Sequence, residues 1–129
     1  MYELTVQAEF CAAHAIVMRG TPEPTHGHNF RVTLTIAGPA LDPDGLLCDF
    51  HAVEAALAET IAPFCNADLN ATPPFDQLNP TAEHLARHIA ETTRRALANT
   101  LPSGAAVVSC RITEAPGCAA TYHLPPHTP

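Results

Sequence analysis

The chain has 129 residues, 47% of them hydrophobic, and carries 13 acidic side chains against six arginines and no lysine, a net charge of -7. That size suits a single domain, expected over residues 1–123, and the charge excludes the clustered basic surface by which a protein grips nucleic acid. No apolar run approaches the roughly 18 residues of a membrane helix, and Met1-Tyr2-Glu3-Leu4 lacks the basic and apolar regions of a signal peptide, so a cytoplasmic protein with no membrane partner is expected.

Over residues 2–10 the even positions Tyr2, Leu4, Val6, Ala8 and Phe10 are mostly apolar and the odd ones polar, the period of a strand with one buried face. A second strand is expected over 28–36, with Phe30, Val32, Leu34 and Ile36 inward, ended by Gly38-Pro39. The period then changes. Phe50, Val53, Leu57, Ile61 and Phe64 form one stripe of an amphipathic helix over 51–64, with Asp49 as its N-cap. After a proline-rich loop, Asn79-Pro80 supplies a cap and a first-position proline for a second helix, which runs to about Thr100 with Leu85, Ile89, Ala96 and Leu97 on its apolar face. Residues 106–114 read as a strand with Val108, Cys110 and Ile112 inward, and 119–123 as its partner across the turn Ala115-Pro116-Gly117.

The order β-β-α-α-β-β is that of an α+β fold, a four-stranded antiparallel sheet with two helices on one face. Its other face and both edges stay uncovered, so a homo-oligomer is expected. The five cysteines, Cys11, Cys48, Cys65, Cys110 and Cys118, are odd in number without close pairing and are expected to be free thiols. Prolines punctuate the loops and gather in a tail, 124–129, expected to be loosely ordered.

His26-Gly27-His28 places two imidazoles two residues apart, which at the start of a strand sends both to one face. Gly27 removes a side chain that would project from the opposite face. His14 shares the parity of Phe10 just beyond the first strand, so hairpin pairing of the two strands brings a third imidazole to the pair. Three neutral imidazoles with an open fourth position are what a catalytic Zn2+ needs.

The sequences Phe10-Cys11-Ala12-Ala13-His14 and His26-Gly27-His28-Asn29-Phe30 resemble the zinc-ligand motifs of the 6-pyruvoyltetrahydropterin and 6-carboxytetrahydropterin synthase family, F-x-A-A-H and H-G-H-N followed by Tyr or Phe. Gly45-Leu46-Leu47-Cys48-Asp49-Phe50 is similar to that family's G-x-x-x-D-F, and Leu69-Asn70 to its L-N. Asn79-Pro80-Thr81-Ala82-Glu83-His84-Leu85-Ala86 is similar to N-P-T-x-E-N-L-A, and Glu114-Ala115-Pro116 through Ala120-Thr121-Tyr122 to E-T-P-x-x-x-A-T-Y. The resemblance covers nearly the whole chain. It implies the tunnelling fold, whose subunits join their sheets into a barrel, here as a trimer or hexamer, with active sites at subunit boundaries. It also implies Zn2+ on His14, His26 and His28 and a pterin-like small-molecule substrate.

Glu114 has the parity of Val108, Cys110 and Ile112, which puts a carboxylate on an apolar face, where it needs a cationic or multiply hydrogen-bonding partner. The resemblance implies that it anchors the pterin through a ring nitrogen and the 2-amino group, a bidentate contact. Thr81 and Glu83 match a further segment near the pterin, although Asn79-Pro80 makes Thr81 a first-turn residue on structural grounds alone.

Three departures bear on the reaction. The family's cysteine in C-x-x-x-H-G-H is Pro22 here, and the nearest ionisable side chain is Glu23, a candidate general acid/base one residue closer to the histidines than the glutamate that, in the cysteine's place, lets some relatives cleave dihydroneopterin as an aldolase does. The family's Asp-His dyad is replaced by Cys65-Asn66, leaving Asp68 as a candidate if the loop is re-routed, while His84 and His88 read as helix-surface residues. Only Arg19 lies near the expected site, too little for a triphosphate. The expected function is a zinc-dependent lyase or aldolase acting on dihydroneopterin or its triphosphate. A non-catalytic zinc- and pterin-binding relative, or a zinc hydrolase of another heterocycle, fits the same residues.

Overall fold

In the computed structural model, which describes residues 1–126, β1 (Tyr2–His14) and β4 (His26–Gly38) pair antiparallel along their whole length, from Tyr2 opposite Gly38 to His14 opposite His26. Both strands outrun the expected spans because the alternation continues: Ala12 and His14 extend the buried face begun by Val6 and Phe10. Between them β2 (Val17–Met18) and β3 (Thr21–Pro22) form a small separate hairpin, turning at Arg19 and Gly20, both with positive φ.

The main sheet has the order β5-β1-β4-β6-β7, with β6 spanning Ala106–Ala115 and β7 spanning Cys118–His123. The four long strands are antiparallel as expected. A fifth, β5 (Ala67–Asp68), adds a two-residue parallel edge beside Ala12 and Ala13.

Two irregularities shape β6. Thr35 and Ile36 of β4 face Ser109 and Val107, so Val108 is an extra residue in the strand. This bulge turns Val107 fully into the core and leaves Val108 half-buried, which corrects the strict alternation expected there. Farther along, Thr113 and Ala115 face Ala119 and Cys118 of β7, making Glu114 a second extra residue.

Helix α1 (Phe50–Ile61) starts as expected, with Asp49 Oδ1 accepting from His51 N at 2.9 Å. Its buried stripe is Val53, Leu57 and Ile61, continued by Phe64 in a 3-10 turn, while Phe50 is 45% exposed and stands outside it. Helix α2 (Ala82–Leu97) is capped by Thr81, whose Oγ1 accepts from His84 N at 3.1 Å, and not by Asn79. Ala96 is exposed. Thr93 takes its place inside, because its hydroxyl donates to Ile89 O at 2.7 Å and so needs no outside partner.

Both helices pack on one sheet face over Phe30, Val32, Leu34 and Ile36, all fully buried along with Leu57, Leu85, Ile89 and Ile112. Each such side chain contributes about 1.5–3 kcal/mol on leaving water. Burial pushes the Cys110 thiol up to about 12, so it acts as a small apolar side chain. Of the expected tail, 127–129 lie outside the described residues; Leu124 N donates to Val108 O at 2.9 Å and Arg94 Nη1 to Pro125 O at 2.8 Å. No helix of the described residues is long and apolar enough to cross a membrane.

Candidate functional site

The pairing of β1 with β4 assembles the histidines. His14 lies directly opposite His26 and Ala12 opposite His28, so all three imidazoles share the face that Phe10 and Phe30 continue. Their ring centroids are 4.8, 5.1 and 4.7 Å apart, each ring nearly perpendicular to the others, with Phe30 edge-on beneath His14 and His28. One ligand atom from each lies within 4.8 Å of the other two. A Cβ on Gly27 would meet only Ala12 O at 3.7 Å, an ordinary contact, so the glycine between the two histidines relieves no clash.

Two backbone carbonyls set the tautomers. His14 Nδ1 donates to Pro80 O at 2.8 Å and His26 Nδ1 donates to Pro24 O at 3.0 Å, which leaves both Nε2 atoms as lone-pair acceptors facing each other at 3.2 Å. Glu114 Oε1, a further acceptor, is 3.1 Å from His14 Nε2 and 3.5 Å from His28 Nε2. His28 Nε2 and Glu114 Oε1 are buried with no hydrogen-bond partner. Acceptors converging in this way call for a cation among them, so the three histidines fit a divalent metal ion. Burial is the main cause that lowers the His28 pKa below its ordinary 6.5, partly offset by the Glu114 carboxylate, and this keeps the ring in the neutral form a metal needs.

Glu114 shares the parity of Cys110 and Ile112, which lie opposite Leu34 and Val32 of β4 on the face that Phe30 and His28 continue, so strand alternation itself brings the carboxylate to the imidazoles. It also lines a cleft of about 580 Å³ between the ends of β4 and β6, together with His28, Asn29 and an ion pair in which Arg31 donates to Glu9 Oε1 at 2.9 and 3.0 Å. Glu23 reaches the cluster from the other side, with Oε1 3.6 Å from His26 Nε2 and accepting from Ile16 N at 3.0 Å.

Residues 3–125 match the family model described as 6-pyruvoyl tetrahydropterin synthase. The chain belongs to the 6-pyruvoyl tetrahydropterin synthase family. A relative from Archaeoglobus fulgidus, provisionally named a 6-carboxy-5,6,7,8-tetrahydropterin synthase, is 31% identical over 85 residues, which is 65% of this chain and 69% of that one. Among solved structures, the Caenorhabditis elegans 6-pyruvoyl tetrahydropterin synthase aligns at TM-score 0.79 and 18% identity, covering 96% of each chain. The Plasmodium vivax enzyme aligns at 0.75 and 19%, covering 95% of this chain and 97% of its own; another structure of it is of a variant in which a catalytic glutamate is replaced by alanine. At such identities the structural likeness is one of fold.

In this member of the 6-pyruvoyl tetrahydropterin synthase family, Glu23 and Glu114 join the three histidines, and the other candidates stand apart. Asp68 is exposed, and its Oδ1 accepts from Asn70 N at 3.0 Å to start a 3-10 turn. Glu83 is exposed in the first turn of α2, and Thr81 spends its hydroxyl oxygen on the helix cap. Where the family resemblance implies an Asp-His dyad, Cys65 Sγ donates to Ile61 O at 3.5 Å and Asn66 adopts φ 56°, a left-handed conformation that asparagine tolerates better than most residues. Arg19 sits at the exposed tip of the β2–β3 turn.

His84 and His88 are half-buried rather than exposed. His84 Nδ1 donates to Asn79 O at 2.7 Å, and His88 lies half-buried between Phe64 and Phe75, at 5.7 and 5.6 Å. Sequence reasoning also missed the amides of Asn70 and Asn79, which bond the backbone just after His14. Their motifs, L-N and N-P-T, were the available signal, but only the folded chain shows what an asparagine in them holds.

Proposed function

We propose that the chain is a zinc-dependent enzyme that cleaves or rearranges the side chain of a dihydropterin. The observation that carries this is the convergence of five groups, His14, His26, His28, Glu23 and Glu114, two of which, His28 and Glu114, line a mostly polar cleft large enough for a bicyclic ring. Three imidazoles with an open position suit Zn2+, which when bound supplies a positive charge that polarises a substrate hydroxyl or carbonyl. Glu114 lines the cleft as a planar two-oxygen acceptor, the shape required by adjacent ring N–H and amino donors. Glu23, on the far side of the histidines, is the carboxylate placed to take the proton of a side-chain hydroxyl as the adjacent carbon–carbon bond breaks, and to return one to the carbon left behind. A glutamate is also a catalytic residue in the Plasmodium vivax relative, which supports a carboxylate in this role.

The charges favour dihydroneopterin over its triphosphate. Arg31, the arginine that lines the cleft, is already paired with Glu9, and Glu114 adds a further negative charge. The test is turnover of both compounds by the zinc-loaded chain, with products identified by mass spectrometry. Dihydroneopterin should be cleaved, Glu23→Gln should lower kcat by about 100-fold or more, and Glu114→Ala should abolish pterin binding in calorimetry while zinc stays bound. No product from either compound would support a non-catalytic pterin-binding role, and unchanged pterin affinity in Glu114→Ala would point to a different heterocycle.

A further inference from the structure

Ala15, Ile16 and Val17 join the ligand His14 to the β2–β3 hairpin, and each has both backbone polar groups paired by residues from elsewhere. Asn70 takes Ala15: its Oδ1 accepts from Ala15 N at 2.8 Å and its Nδ2 donates to Ala15 O at 2.9 Å. Asn79 repeats the arrangement at Val17, with both distances 2.9 Å. Ile16, whose polar groups point the opposite way in an extended chain, is met by Glu23. Ile16 N donates to Glu23 Oε1 at 3.0 Å, and Glu23 N donates to Ile16 O at 3.0 Å. Two side-chain amides thus stand in for a neighbouring strand on one edge, and Glu23 closes the other.

This lattice fixes the carboxylate. Glu23 Oε1 lies where the Ile16 amide holds it, and Ile16 lies where Asn70 and Asn79 hold the residues on either side. These contacts use Oε1 alone, leaving the second oxygen to exchange a proton. The same Asn79 reaches the metal site by another route. Its carbonyl accepts from His84 Nδ1 at 2.7 Å, and the next carbonyl, Pro80 O, accepts from His14 Nδ1 at 2.8 Å. A single Asn-Pro-Thr turn therefore orients both an imidazole of the cluster and the carboxylate beside it. A displacement of about 1 Å at a reacting group slows a reaction by on the order of 100-fold, so such a brace matters to rate.

We infer that Asn70 and Asn79 are positioning residues that set Glu23 against the histidine cluster; in its catalytic part this rests on the reading of Glu23 as the proton-moving group. Neither asparagine side chain hydrogen-bonds His14, His26, His28 or Glu23. Each acts through the backbone of residues 15–17.

The test uses the full zinc-loaded chain and the variants Asn79→Ala, Asn79→Asp and Asn70→Asp, the aspartates keeping shape and acceptor while losing the amide donor. Amide hydrogen exchange should be about tenfold faster or more at Ile16 in each variant, with Phe30 and Leu34 unchanged and one zinc retained per chain. On dihydroneopterin, kcat should fall about tenfold or more with KM within about twofold, and the asparagine substitutions should cause no further loss in a Glu23→Gln background. Unchanged exchange at Ile16, or losses that multiply with that of Glu23→Gln, would overturn the inference. Equal turnover by wild type and Glu23→Gln would instead overturn the reading of Glu23, whereas an inactive Glu23→Gln beside fully active asparagine variants overturns only the positioning.

Discussion

His14 is fully buried, stands edge-on to Phe30 and donates from Nδ1 to the carbonyl of Pro80, itself a buried residue. Replacing it by alanine empties a packed space and strands that carbonyl, together about 2–4 kcal/mol. His26 differs: its side chain is 39% exposed and its partner carbonyl belongs to the exposed Pro24. Urea unfolding of the metal-free chains should therefore show His14→Ala destabilised by roughly that amount and His26→Ala by under about 1 kcal/mol, although both lose zinc. Equal destabilisation would show that His14 carries no structural load beyond the metal. The identity of the three histidines was legible, because parity along two strands decides which residues share a face. The groups that orient them were not. Pro80 is 66 residues from His14, and a backbone carbonyl is offered by every residue, so no residue type announces it.

Helix α2 carries a pH-sensitive contact away from the cleft. Burial beside Phe64 and Phe75 lowers the His88 pKa below its ordinary 6.5, and Arg95 lowers it further, against a smaller opposing effect of Glu91. A histidine depressed in the fold is protonated more readily in the unfolded chain. The stability it contributes is therefore present above about pH 6.5 and is lost as the pH falls from there through the folded value. Denaturant melts of metal-free protein between pH 7.5 and pH 5, with about that range set by the reference titration of histidine, should show stability declining on acidification. His88→Leu should decline less steeply; parallel curves would remove His88 as a cause. This helix also shows where pattern reading ends. Asn79 and Thr81 are both good caps by residue type, and what decides for Thr81 is that the Asn79 amide is bonded to Val17. The β6 bulges were equally silent, since Val108 and Glu114 are ordinary strand residues where a glycine would have signalled a break. The first bulge moves a valine out of the core line, whereas Glu114 reaches the histidines through the parity it shares with Cys110 and Ile112.

At the scale of the whole molecule, β5 pairs with β1 only at Ala12 and Ala13, so residues 2–11 of β1 form an open edge, and β7 forms the other. The face away from the helices is polar, with Thr5, Gln7, Glu9, Arg31 and Arg111 exposed. Edges this long invite pairing with another copy, and a polar face can line the water-filled interior of a ring of joined sheets. We propose the trimer or hexamer expected of a tunnelling-fold protein, so light scattering should give a mass of about three or six times the 13.7 kDa chain. A monomer at tens of micromolar would sink this. The three histidines proposed to hold the ion come from a single chain, two of them directly opposed across the β1–β4 pair, so an ion held by them need not bridge subunits. Chelation should remove zinc and leave the mass unchanged. Dissociation upon chelation would mean that the metal holds copies together, contrary to a site whose ligands all lie on one hairpin.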